Sequence, residues 1–225
     1  MDVPELTVVD EDGRVRARLA IAADGTLSLD LADPGGTARA RVAVGRDGAP
    51  RIELRGPDGV PRVVLGAALD GGSGLDVWDE EGRHRLAVGD RPGGPSGLMV
   101  WDGAGGLRAL LALGPGNDRD VSLEFWDRDG AYRAGLGMWT EPTDPADSSG
   151  IAALELADAE GQNRARVGER PDGSTTLDFW DPDGTYRAGV GEWATGAAGL
   201  ALFDAEGRPH TEMGTSSPPS SRPSR

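Results

Sequence analysis

The 225 residues hold 36 Gly, 16 Pro and no Cys, and 38 acidic against 23 basic side chains give a net charge of -15. That balance argues against nucleic acid or an anionic membrane surface as a partner, because phosphate binding needs clustered cations, and the missing cysteines exclude disulfides, thiolate metal sites and cysteine nucleophiles. Every basic residue is Arg and none is Lys, so the cations present planar, forked heads.

Taken in chain order, the opening residues Met1 to Glu5 lead straight into a strand-like run, Leu6-Thr7-Val8-Val9, with neither a basic start nor an apolar stretch of the kind a signal peptide carries. No run approaches 18 apolar residues, so neither membrane insertion nor secretion is expected, and the expected location is cytoplasmic. The run ends at Asp10, where a motif of form D-x-x-G-x-x-R-A-x-L begins. It returns with its glycine at Gly13, Gly36, Gly59, Gly82, Gly105, Gly130, Gly161, Gly184 and Gly207, at spacings of 23, 23, 23, 23, 25, 31, 23 and 23. A fixed period in this range marks a repeat architecture, in which one supersecondary unit leans on the next.

Positions are numbered below from the motif Asp of each unit. Large apolar residues stand at -2 and -4, as in Leu75 and Val77 or Leu123 and Phe125, and again at +7 and +9, as in Ala17 and Leu19 or Ala188 and Val190. Alternation with period two predicts two β-strands per unit. The letters between them, as in Asp127-Arg128-Asp129-Gly130 and Asp181-Pro182-Asp183-Gly184, fit a type I turn followed by a left-handed Gly. A second turn closes each unit, as in Ala23-Asp24-Gly25 and Pro171-Asp172-Gly173.

The expected fold is therefore all-β: a nine-unit array of 23-residue β-repeats, stacked hairpins or a β-solenoid, with about eighteen short strands. It fills a single repeat domain over 1–214, with an insertion loop at 140–150 and a disordered Ser/Pro/Arg tail at 215–225. Parity leaves three pairings open. A type I turn with a Gly bulge sets the residue at -2 opposite the Arg at +6, a two-residue turn sets it opposite the Ala at +7, and a solenoid coil does not fold back at all. An open meander would leave one bare apolar face, which favours a homo-oligomer.

The motif resembles that of uncharacterised bacterial proteins built from tandem D-x-x-G-x-x-R-A-x-L units, over residues 6 to about 214; the resemblance implies a repeat fold and no particular activity. In period and hairpin-like unit the chain is also similar to the membrane occupation and recognition nexus repeat, without that family's Tyr-x-Gly signature.

Aromatic residues at -1, namely Trp78, Trp101, Trp126, Trp180 and Phe203, share a face opposite the Leu pair, and Trp139 and Trp193 share the outward parity of the Arg. They are the candidate partner or sugar surface, since flat exposed rings stack on apolar faces; as structure, they would pack across strands with one another. The recurrent Arg at +6, from Arg16 to Arg187, is expected to pair with the turn Asp. Asp-x-Asp-Gly at Asp10, Asp127 and Asp181 resembles the start of a calcium loop, yet no acidic residue closes it and the turn already demands those letters, so no cofactor is expected. His84 and His210 stand at unrelated offsets, and acidic pairs repeated in every unit read as scaffold rather than as one active site. The chain thus reads as a non-enzymatic scaffold or interaction protein that self-associates and meets a protein partner, with a carbohydrate-binding module as the alternative.

Overall fold

A computed structural model describes residues 5–67, 71–90, 96–113, 121–139, 151–170, 172–194 and 196–215. The insertion at 140–150 and the tail from residue 216 lie outside them. The described residues form eighteen strands and no helix, in two compact units, residues 1–106 and 107–225.

The first unit contains β1 (Glu5–Val9), β2 (Val15–Ile21), β3 (Leu27–Ala32), β4 (Ala38–Val44), β5 (Pro50–Arg55), β6 (Pro61–Ala67), β7 (Ser73–Trp78), β8 (His84–Asp90) and β9 (Ser96–Trp101). The second contains β10 (Leu107–Leu113), β11 (Val121–Trp126), β12 (Tyr132–Trp139), β13 (Ile151–Ala157), β14 (Asn163–Glu169), β15 (Thr175–Trp180), β16 (Tyr186–Glu192), β17 (Ala198–Phe203) and β18 (Pro209–Gly214). Within each unit every strand pairs antiparallel with the strand that follows it. The array is therefore a meander of hairpins and not a solenoid.

Each motif turn, from Asp10 to Asp204, has the hydrogen-bond pattern of a type I turn closed by a left-handed Gly: in the first, Gly13 N–H donates to Asp10 O at 2.9 Å and Asp10 N–H to Arg14 O at 2.9 Å, with Gly13 at φ 78°. Asp10 Oδ1 accepts from the backbone N–H of Asp12 (3.1 Å) and Arg14 (2.9 Å), which sets the loop. By itself this turn would place Val8 opposite Arg16. Instead Val9 pairs with Val15 and Val8 with Ala17, so the ladder skips Arg16 in a β-bulge. The same skip recurs at Phe125/Trp126 and Phe179/Trp180. The structure thus combines two of the three pairings that parity leaves open: a type I turn, yet with the -2 residue on the Ala at +7.

The skipped Arg turns its head to the neighbouring hairpin. Arg16 Nε donates to Ala32 O at 3.0 Å, and Arg39, Arg133, Arg164 and Arg187 do the same to Arg55, Ala157, Trp180 and Phe203. Their Nη1 atoms reach the turn carboxylates expected from the sequence, as in Arg39 to Asp33 (3.3 Å) and Arg133 to Asp127 (3.2 Å). With much of each side chain open to solvent, these ion pairs contribute little alone; the bond to a backbone carbonyl orients them.

Glycine separates two kinds of constraint. Gly130 needs only its φ of 86°, because an added Cβ would meet nothing within 4 Å, whereas a Cβ on Gly89 would lie 2.1 Å from Ser73 O on the paired strand. Gly130→Ala is expected to cost about 1–2 kcal/mol through backbone strain alone, and Gly89→Ala clearly more because β7 and β8 must separate. Denaturant unfolding of the two variants, ranked by midpoint, checks the order.

Candidate interaction surface

Because the bulge keeps -4, -2, +7 and +9 in phase, each unit of the fold has two chemically distinct faces. One carries the large aliphatic residues and nothing covers it among the described residues: Leu29, Ile52, Leu54, Leu136 and Leu156 are all exposed, and Ile21 keeps 67% of its surface open. The other carries -1, -3, -5, +8 and +10 and is the crowded one, with Ala43 at 2%, Ala87 at 0% and Asp178 at 1% exposure. The aliphatic residues thus form the bare apolar face expected of an open meander, whereas the rings, expected as an exposed stripe, lie on the more covered face. The reason is physical: a single layer gives the aliphatic face nothing to pack on, whereas small residues, rings and paired charges on the other face cover one another.

A column of acidic side chains at -3, which the sequence reading does not single out, runs along the crowded face. Asp30 takes Arg41 Nε at 2.7 Å and Nη2 at 3.0 Å in a two-pronged pair. Glu53, itself 6% exposed, lies between Arg51 and Arg55. Glu155 faces Arg166 at 3.8 Å. Buried Asp178 is the most enclosed: Tyr186 Oη–H and Thr176 Oγ1–H each donate to it at 2.6 Å, and Arg170 Nη2 donates as well. A buried carboxylate is tolerated only with such full coordination. The signal available in the sequence is Asp30, Glu53, Asp76, Glu124, Glu155 and Asp178, each three residues before a unit's start.

The rings of the candidate surface lie on this face and pair across the bulge with the residue at +5. Trp78 stacks on His84 (centroids 5.2 Å) and His84 on Trp101 (4.4 Å), so the imidazole sits between two indoles. Its Nε2–H donates to Asp76 Oδ1 at 2.8 Å. In the second unit Trp126 meets Tyr132 edge-on at 6.3 Å, Trp180 meets Tyr186 at 5.8 Å, and Tyr186 meets Phe203 at 5.0 Å. Trp193 is buried with Ala197 and Ala201 against Phe203. The side chain of Trp139 lies outside the described residues. Trp78, Trp101, Trp126 and Trp180 are each half-buried, and their ring contacts follow the cross-strand packing that aromatic pairs prefer.

Each Tyr also lies over a glycine on its own strand. A Cβ on Gly135 would fall 2.0 Å from Tyr132 Oη, and one on Gly189 1.8 Å from Tyr186 Oη. Where no Tyr stands at +5, position +8 carries a side chain, among them Arg18, Arg41, Val64 and Arg166, so the Tyr-x-x-Gly spacing marks this local exchange.

In the first unit a cavity of about 370 Å³ opens beside the acidic column, lined by Asp47, Arg51, Asp76, Asp90 and the backbone of Gly66, Gly74 and Gly89. Among the described residues no group of three or more His, Asp or Glu is placed to hold a metal. The Asp-x-Asp-Gly carboxylates turn inward on their own loops, as where Asp127 Oδ1 accepts from Asp129 N–H (2.9 Å) and Ala131 N–H (3.1 Å). No helix of the described residues is long and apolar enough to cross a membrane. No protein-family model matches the chain, and no curated protein matches it.

Burial pushes the Tyr132 phenol up to about 12, helped by the nearby Glu155 and Glu124 charges. Burial, followed by the bond to Asp178, also raises Tyr186. A raised phenol contributes stability that is present below its unfolded value of about 10 and lost as pH climbs through the folded value. Because the chain has two tyrosines, tyrosinate absorbance is expected to lag well behind that of the denatured chain and to rise together with loss of the β signature. A normal titration near the unfolded value in the folded protein would contradict this burial.

Turn carboxylates set the opposite limit. Backbone N–H donors and facing Arg hold Asp33, Asp158 and Asp204 below the ordinary carboxylate value of 3.8, so their contribution is present above that value and lost as pH falls through the lowered one. The thermal midpoint is expected to drop progressively below about pH 4, as followed by circular dichroism.

Proposed function

We propose that this chain is a non-enzymatic structural scaffold, working in the cytoplasm, whose copies associate through the bare aliphatic face of the β-repeat array. The observation that carries this reading is the exposure of large apolar residues in both units, from Leu19, Leu29 and Val42 to Phe125, Leu136 and Leu156. A contiguous apolar patch beyond a few hundred Å² marks an interaction site in a water-soluble protein. A second copy of the same face is the occupant with matching chemistry, since an aliphatic sheet surface is complementary to another at about 10 Å separation. Such pairing of one patch with itself is isologous.

Lipid suits the face less well. The strands have five to eight residues, against the roughly 9–11 that a tilted strand needs to cross a bilayer. The carbohydrate alternative has less support, because His84 occupies a face of both Trp78 and Trp101 and Trp193 is buried.

The test is the mass of the full chain in solution. Leu29→Arg combined with Leu136→Arg alters two exposed positions, so the far-ultraviolet β signature is expected to persist. The weight-average mass in sedimentation velocity is expected to fall by roughly twofold or more. A native mass equal to that of one chain, or one unchanged by the double substitution, would overturn the reading.

A further inference from the structure

Every joint between successive hairpins uses one register, in which +7 of one unit pairs with -2 of the next and +9 with -4. Ala17 lies opposite Leu31 and Leu19 opposite Leu29; Ala188 lies opposite Leu202 and Val190 opposite Leu200. The register does not depend on the link. Between β12 and β13 the repeat lengthens from 23 to 31 residues, yet Ala134 still pairs with Leu156 and Leu136 with Leu154. The strand faces themselves therefore specify the joint, and a covalent link of set length is not what holds it.

The two outer strands carry the halves of such a joint. Among the described residues β1 pairs only with β2 and β18 only with β17, so each has an unpaired edge. At β1, Leu6 and Val8 occupy -4 and -2; at β18, Thr211 and Met213 occupy +7 and +9. Met213 at 65% and Leu6 at 58% exposure are among the most open apolar side chains of the chain, as expected of residues lacking one lateral neighbour. Among the described residues no unpaired charge of β1 opposes the pairing: Glu5 is engaged by Arg18 of its own hairpin. The residue that would face Glu212 is Thr7, so no like charges meet. Pro209 stands where Pro61 stands in β6, a strand paired on both sides.

We infer that β18 of one copy adds to β1 of another, Met213 opposite Leu6 and Thr211 opposite Val8, so that copies join edge to edge in the register of the internal joints. This surface is separate from the aliphatic face, and its partner is a second copy of this chain. The joint differs from the internal ones in one respect. The Arg that bonds the next unit's carbonyl is replaced by His210, so the long Nε–H donor to the Val9 carbonyl is missing and the edge joint is weaker and reversible.

Because the chain has no cysteine, cross-linking reads the register directly. Opposed Cβ atoms in an antiparallel pair lie about 4.5–5.5 Å apart, close to disulfide geometry. Leu6→Cys chains mixed with Met213→Cys chains under mild oxidation are expected to give a covalent dimer in high yield, and either variant alone little. The Leu6→Cys with Glu212→Cys mixture, whose side chains leave opposite faces, is the control. His210→Arg is expected to tighten the association about three- to tenfold by restoring one hydrogen bond. The inference is overturned if the control mixture cross-links equally well, if His210→Arg leaves association unchanged, or if the double variant Leu6→Cys, Met213→Cys closes on itself as a monomer. The face variant Leu29→Arg with Leu136→Arg leaves both edges intact, so loss of face association with retained cross-linking, or the reverse, separates this inference from the proposed function.

Discussion

The arginine at +6 is the residue that the ladder leaves out, and the rest of the fold depends on that omission. A type I turn with a left-handed Gly brings the two strands back with an odd offset, which would drive Arg16 among Leu and Val and put the apolar +7 and +9 residues on the wrong side. One extra residue restores parity, so that Val8 meets Ala17. The bulge also frees the guanidinium from the ladder, and with its Nε it satisfies a carbonyl at the end of the neighbouring hairpin. The turn Asp, the Gly and the Arg are thus one device: the Asp shapes the loop, the Gly supplies the positive φ, and the Arg absorbs the offset.

Sorting by parity makes the two faces unequal, and the inequality sets what the array can do. On the crowded face, acidic residues at -3 find cations or hydroxyls close by, as with Asp30 and Arg41 or Asp178 and Tyr186. Charges withdrawn from water in this way hold a register, because a slip of two residues would leave each of them buried without a partner. On the aliphatic face no such penalty exists, and Leu, Val and Ile line up with only lateral neighbours. The layer thus uses its polar chemistry for internal specificity and leaves its apolar chemistry open to solvent.

The strand count, the turn type and the Asp to Arg pairing were legible because they rest on local chemistry and a nine-times-repeated spacing. Gly130 and Asp127, for example, announce their turn by residue type alone. Burial was not legible, since alternation shows that two faces differ and is silent on which one is covered. The bulge escaped because Arg133 carries no special letter for it; only the pairing of Phe125 with Ala134 reveals that it is skipped. The place of His84 between Trp78 and Trp101 was hidden for a similar reason. Across the bulge the -1 residue meets the one at +5 of its own unit, and Trp101 comes from the next unit, so the three positions share no local pattern.

The slot formed by -1 and +5 shows how much variation the device tolerates. It holds Val9 with Val15, Ala32 with Ala38, Arg55 with Pro61, Trp78 with His84, Trp180 with Tyr186 and Phe203 with Pro209. These pairs span small aliphatic, charged and bulky aromatic chemistry at one geometric place, and each is accommodated by its neighbours, as when Gly189 makes room for the Tyr186 hydroxyl. What recurs from unit to unit is the turn, the bulge and the aliphatic positions, all of which act on how units join. What varies is the slot. The constant positions thus fix the backbone path and the register between hairpins, while the slot carries the chemistry that differs from one repeat to the next.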